Sequence, residues 1–292
     1  MEKILSGCPV LEVLLLEGCF GLSCLNICSL NLTTLTIKDG EFYDIDDEDV
    51  FFLEISAPYL RDLTISCDFE EINFKIRNLS SVVRASFLFS VDEGWEIYIP
   101  SDITNYVRQL LESLQSLKEL ELRPWCIEIF SMLEMKDWKL KPSLLCLTLN
   151  PCSNRGSIPG ILGFLKSYPN LNTLVIRGSH VSDEEIYVTQ DQAASYLQNG
   201  DLDLVLFHLK TIKIIGFEGL VSEPMLMLLQ VLLKSAKVLE TMVISAEEES
   251  IETSSTNATS TDLAKFASKL VALPKASPKA VVLVCSRSCN CG

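Results

Sequence analysis

The chain has 292 residues, of which 48% are hydrophobic and 22% charged, so it carries enough apolar surface to offset the entropy of ordering a core, which excludes wholesale disorder. Lysine and arginine total 24 against 39 aspartates and glutamates. The formal charge of -15 repels phosphate backbones and anionic lipid, and excludes nucleic acid and membrane surfaces as partners. Eleven cysteines in so long a chain, with Glu12 and Glu17 interrupting any apolar leader or spanning helix, read as reduced and mostly buried thiols of an intracellular protein, cytoplasmic or nuclear.

In chain order one pattern recurs: an apolar residue, two of any kind, an apolar residue, one of any kind, and a third apolar residue. It starts as Leu11-Leu14-Leu16 and returns as Leu32-Leu35-Ile37, Leu60-Leu63-Ile65 and, more weakly, Val82-Ala85-Phe87. Further copies are Leu117-Leu120-Leu122, Leu144-Leu147-Leu149, Leu171-Leu174-Ile176, Leu209-Ile212-Ile214, Leu239-Met242-Ile244 and a weak Ala280-Leu283-Cys285. Successive copies are 21 to 41 residues apart. The second half of each copy alternates with period two, which makes it a short strand with one face buried. Stacked units of this kind build the parallel sheet of a leucine-rich repeat. The fold class is therefore α/β: a leucine-rich-repeat solenoid with a curved parallel β-sheet, helices and loops on the convex side, and irregular repeats of about 21–41 residues.

The segments between copies carry helical signals. Ser101 or Asp102 can cap a stripe of Val107, Leu110, Leu111 and Leu114. Residues 158–167 offer Ile161, Leu162 and Leu165. Pro224 stands in a first helical turn ahead of Leu228, Leu229 and Leu232, and Asp262 can cap Leu263, Phe266 and Leu270 before Pro274. The acidic run 44–49 and the Glu- and Ser/Thr-rich stretch 245–261 interrupt the rhythm as loops. Ile4, Leu5, Val10 and Leu11 predict an exposed apolar face at the first repeat and poor solubility.

Cys8-Pro9-Val10-Leu11-Glu12, the segment Leu53 to Leu60, and above all three C-terminal blocks (209–217, 232–240 and 273–280) resemble plant F-box/LRR proteins that carry an FBD domain. The resemblance spans essentially the whole chain. It implies a leucine-rich-repeat region over 1–205 and an FBD-like C-terminal region over 206–292 that continues the solenoid. Such proteins are similar to substrate-receptor subunits of Skp-cullin-F-box ubiquitin ligases, in which an F-box docks on the Skp-type adaptor and the repeats select the target. Here Met1 already lies in the first repeat, so the adaptor is expected as a partner only where an F-box stands upstream. The alternative is a stand-alone repeat scaffold with no ubiquitin link.

Chemistry-bearing constellations are thin. His180 and His208 are the only histidines and both fit turn positions. Neither glycine-rich phosphate motif occurs, and the acidic run has Asp49 where a calcium loop needs glycine. Cys285, Cys289 and Cys291 supply too few ligands for structural zinc. No catalytic residue, cofactor or metal is expected.

A protein partner is expected instead, on the concave strand face. The second, fourth and sixth residues after each first apolar position point outward. The candidate binding residues are Glu17, Thr36, Lys38, Asp62, Thr64, Arg84, Glu119, Glu121, Arg123, Thr148, Arg177 and Lys213. This row is threonine-rich, mixed in charge and without a basic stripe, as suits a protein or peptide.

Overall fold

A computed structural model of the chain describes residues 2–19, 24–40, 51–67, 72–89, 108–123, 126–127, 143–151, 157–178, 204–216, 223–245, 266 and 268–285. They form two compact units, the first through Leu144 and the second from Leu145. The first begins with helix α1 (Glu2–Gly7) and contains strands β1 (Val13–Glu17), β2 (Cys24–Cys28), β3 (Thr34–Gly40), β4 (Phe51–Ser56), β5 (Asp62–Cys67), β6 (Ile72–Arg77), β7 (Arg84–Phe87) and β8 (Glu119–Leu122). The second contains β9 (Cys146–Leu149), helix α2 (Ser157–Ser167), β10 (Thr173–Arg177), β11 (Thr211–Ile215), helix α3 (Glu223–Ser235), β12 (Thr241–Ser245) and β13 (Val281–Cys285). Strands pair in the order β1-β3-β5-β7-β8 in the first unit and β9-β10-β11-β12-β13 in the second, every pair parallel. This is the leucine-rich-repeat architecture that the spacing predicts.

β1, β5, β7, β8 and β10 are each introduced by a tight turn closed by an N–H donating to the carbonyl three residues back: Leu11 to Cys8, Leu60 to Ala57, Val82 to Leu79, Leu117 to Leu114 and Leu171 to Tyr168. Pro9, Pro58 and Pro169 occupy the second place in three of these turns, where a fixed φ near -65° matches the required geometry. The residue after the first apolar position then offers its carbonyl to two N–H groups of the next repeat. Glu12 accepts from Thr33 and Thr34, Thr33 from Arg61 and Asp62, Arg61 from Val83 and Arg84, and Val83 from Lys118 and Glu119. In the second unit Leu145 accepts from Asn172 and Thr173, Asn172 from Lys210 and Thr211, and Lys210 from Glu240 and Thr241.

This ladder sets the phase of the side chains. The inward pairs from Leu35 and Ile37 through Met242 and Ile244 are at most 3% exposed, and the first apolar residues from Leu32 to Leu239 are equally buried. Fully burying one such side chain contributes about 1.5–3 kcal/mol.

The connections differ between the units. In the second, those between β9 and β10 and between β11 and β12 contain helices as expected: α2 buries Ile161, Leu162, Phe164 and Leu165, and α3, with Pro224 in its first turn, buries Leu228, Leu229, Leu232 and Leu233. Residues 108–113 are also helical, with Leu110, Leu111 and Leu114 buried, as are 268–271, with Leu270 buried. The expectation of helices and loops behind the sheet needs correction for the rest of the first unit. There β2, β4 and β6 form a second parallel sheet. Its Leu25, Ile27, Leu53 and Ile55 are at most 1% exposed and complete the core from the other side. Asn78 ends β6 in the left-handed region at φ 57°, which asparagine tolerates, and its amide donates to Ser56 Oγ at 3.1 Å.

Two further readings change. In β13 the register sets Val282 opposite Met242 and Leu283 opposite Val243, so Leu283 faces outward and the inward pair is Val282 and Val284. The Ala280-Leu283-Cys285 phase was one residue off, and a one-residue slip exchanges the two faces. At the N-terminus α1 packs on β2 and buries Leu5, whereas Val10 is 82% exposed, so the expected apolar face is covered in part. The capping residues Ser101, Asp102 and Asp262, with Val107 and Leu263, lie outside the described residues, as do the acidic run 44–49 and residues 246–261.

Of the cysteines, Cys67 and Cys126 are buried while Cys8 and Cys28 are exposed, and none of these four forms a disulfide. Burial pushes the Cys126 thiol up to about 12, and its Sγ lies 3.6 Å from the Phe87 carbonyl oxygen.

Two outcomes follow. Leu63→Ala costs about 2–5 kcal/mol in urea unfolding, whereas Thr64→Ala, next along β5 and facing outward, costs less than about 1 kcal/mol; equal losses would mean the strand phase is wrong. Above the ordinary thiol range the unfolded chain releases the Cys126 proton that the native chain retains until about 12. Native stability therefore falls as pH rises through this window, by up to about 1.4 kcal/mol per pH unit. Cys126→Ala flattens that slope between pH 8 and 10.5 in paired unfolding curves, and an unchanged slope would show that the thiol titrates normally.

Candidate functional site

The strand register gathers nine of the twelve candidate residues on the outward face of the first unit. One row runs Val13, Thr34, Asp62, Arg84, Glu119 and the next Leu15, Thr36, Thr64, Ser86, Glu121; a third begins with Glu17 beside Lys38. Neighbours along a row stand about 4.8 Å apart, the spacing of hydrogen-bonded strands. Arg123 follows β8 directly and its N–H donates to the Phe87 carbonyl. All of these side chains are exposed or half-buried, whereas the residues between them within each strand, such as Leu35, Leu63, Ala85 and Leu120, are buried.

The charges on this face answer one another. Arg84 meets Asp62 with both ends of its fork, Nε to Oδ1 at 2.6 Å and Nη2 to Oδ2 at 2.9 Å. The hydrogen bond to Asp62, then its charge and that of Glu119, raise the Arg84 pKa above its ordinary value. With the Arg84 side chain 59% exposed, the pair is screened by water and adds more to positioning than to stability. Ser86 donates its hydroxyl to Glu121 Oε2 at 3.2 Å.

The other three candidates lie on the second unit. Thr148, Val175, Lys213, Val243 and Leu283 form one row; Cys146, Thr173, Thr211, Thr241 and Val281 form the next; Arg177, Ile215, Ser245 and Cys285 the third. Thr241, Val243, Val281 and Leu283 belong to this face and were not among the sequence candidates. The period of the Leu239 repeat already points to Thr241 and Val243. The run Val281-Val282-Leu283-Val284 has no alternation from which to choose a phase, and only its pairing with β12 settles it.

Other candidate chemistry finds no assembled site among the described residues. His208 is exposed in the turn before β11, and His180, Cys289 and Cys291 lie outside the described residues. Among the described residues no three of His, Cys, Asp and Glu cluster as metal ligands. No described helix is long and apolar enough to cross a membrane.

Comparison with known proteins agrees with this geometry. The leucine-rich-repeat family described as "At1g61320/AtMIF1, LRR domain" matches residues 1–281. The chain is 27% identical over 263 residues to the F-box/LRR-repeat protein At5g02930 of Arabidopsis thaliana, covering 83% of this chain and 52% of that protein. It is 29% identical over 247 residues to the F-box/FBD/LRR-repeat protein At5g56810 of the same plant, covering 84% and 51%. A third Arabidopsis relative, the FBD-associated F-box protein At1g78730, is 31% identical over 134 residues, 44% of this chain and 31% of its own length. The chain spans about half the length of the first two relatives. With the repeat pattern, the parallel strands and the family match in agreement over nearly all its length, the chain belongs to the At1g61320/AtMIF1 family of plant leucine-rich-repeat domains.

Proposed function

We propose that this chain is the target-recognition part of a ubiquitin-ligase receptor of the Skp-cullin-F-box type, acting within the cell. The coarser role, binding another protein, follows from the leucine-rich-repeat family and from relatives named for F-box and LRR segments. Proteins of this kind act as interaction modules rather than enzymes. The observation that carries the reading is the pair of outward faces, where regularly spaced side chains are left over once the core and the backbone ladder are satisfied. Glu17, Thr36, Lys38, Asp62, Thr64, Arg84, Glu119, Glu121 and Arg123 on the first unit, and Thr148, Arg177 and Lys213 on the second, are the proposed contact residues.

On this reading 206–292 is the FBD-like part of the receptor and 1–205 its leucine-rich-repeat region. The Skp-type adaptor is reached through an F-box in the same polypeptide, as the names of the relatives suggest.

The decisive experiment joins the F-box of a relative to the N-terminus of the 292 residues and expresses the fusion in plant cells beside the chain alone. Both capture a common target, but only the fusion co-purifies the Skp-type adaptor and shortens the half-life of that target. Capture by both with no change in half-life would leave a repeat scaffold without a ubiquitin link.

A further inference from the structure

The outward face of the second unit has a composition that the rest of the chain does not predict. In a sequence with 39 acidic residues, none of the outward positions of β9 to β13 is a carboxylate: Cys146 and Thr148, Thr173, Val175 and Arg177, Thr211, Lys213 and Ile215, Thr241, Val243 and Ser245, Val281, Leu283 and Cys285. The corresponding positions of the first unit include Glu17, Asp62, Glu119 and Glu121, with Arg84 held by Asp62 and Glu121 by Ser86.

Lys213 stands at the middle of the second unit's face. Its register partners are Val175 and Val243 and its outward neighbours along β11 are Thr211 and Ile215, all uncharged. It is half-buried, and among the described residues no ion pair or hydrogen bond engages its ammonium. An ammonium on an aliphatic stem between two valines has no carboxylate on this face to neutralise it, and the apolar surroundings lower the local dielectric that would screen it. Access improves toward one edge of the row, from Val175 at 8% exposure to Leu283 at 43%, with Val281 beside it at 52%. Three threonines in register, Thr173, Thr211 and Thr241, line the neighbouring row; the Thr173 hydroxyl donates to Asn172 Oδ1 at 3.4 Å, and those of Thr211 and Thr241 can donate to an incoming oxygen.

We propose that this face binds an extended, acidic and aliphatic segment of a partner protein, with a carboxylate on Lys213 and the flanking aliphatic side chains on Val243 and Leu283. Charge complementarity selects the occupant. A chain of net charge -15 repels an acidic segment over most of its surface, so a local field that attracts one fixes both where it binds and which segments are admitted. The inference rests on the protein-binding reading above and gives it a partner chemistry.

The test is selection from a display library of random linear peptides on the full chain, followed by affinity measurement of the enriched peptides on variants. Enriched sequences carry Asp or Glu next to Val, Ile or Leu, and their affinity falls with added salt. Lys213→Glu weakens them by at least about tenfold. Lys213→Met, which keeps the aliphatic stem, weakens them less and melts at the wild-type temperature, separating binding from folding. Lys166→Gln, on the exposed side of α2 and away from the strand face, leaves their affinity within about twofold. Enriched peptides without acidic residues, or affinities indifferent to Lys213→Glu, would overturn this proposal and leave the protein-binding reading standing. Selection of no peptide at all would count against both.

Discussion

One carbonyl oxygen per repeat taking two N–H groups from the next is the contact on which the remaining geometry depends. It sits just before the strand in the repeats that carry it, at a residue that is not yet in the sheet. A single shared acceptor fixes both the distance and the rotation of one repeat relative to the next. From Glu12 to Val83, and again from Leu145 to Lys210, the acceptor is always the residue after the first apolar position. Because the following residues alternate with period two, anchoring that one residue decides which side chains enter the core and which line the outward rows. Serine hydroxyls reinforce the arrangement locally. The hydroxyl of Ser277 donates to the Leu239 carbonyl at 2.6 Å, and that of Ser143 to the Leu117 carbonyl at 2.8 Å. A buried carbonyl left without a donor would carry its full desolvation cost.

The contrast between the two outward faces follows from the same rows. On the first unit Asp62, Arg84 and Glu119 are consecutive partners, so opposite charges fall about one strand spacing apart and neutralise one another on a largely solvated surface. On the second, threonine and valine occupy the same relative positions, and Lys213 stands among uncharged neighbours. Equal backbone geometry thus supports surfaces of unlike chemistry, since outward residues contribute little to the core and are free to vary.

The main sheet was legible in the sequence because each strand repeats three apolar residues at fixed spacing and the copies vouch for one another. The second sheet and the phase of β13 were not. β2 and β4 carry no copy of the pattern, because Cys24-Leu25-Asn26-Ile27-Cys28 and the run from Phe51 to Ser56 alternate over only a few residues and lack a leading leucine. Their stability as strands comes from pairing with each other and, for β4, with β6, a long-range fact that no local window contains. β13 was found but placed one residue out, because an unbroken valine and leucine run carries no phase. The outward direction of a strand residue follows from the strand period alone, whereas its neighbours across the sheet, such as Asp62 beside Arg84, depend on how the repeats pair.

The connections between strands are made in two ways, by strands of the second sheet in most of the first unit and by helices such as α2 and α3 in the second. The backbone ladder is the same in both, since it needs only the turn and the six residues that follow it. The outward face is therefore insulated from insertions and deletions. A connection can lengthen, shorten or exchange a strand for a helix, with entropy rising only slowly with its length, while the rows in front keep their order and spacing. In a lineage that copies and diversifies such repeats, the scaffold and the recognition surface can change independently.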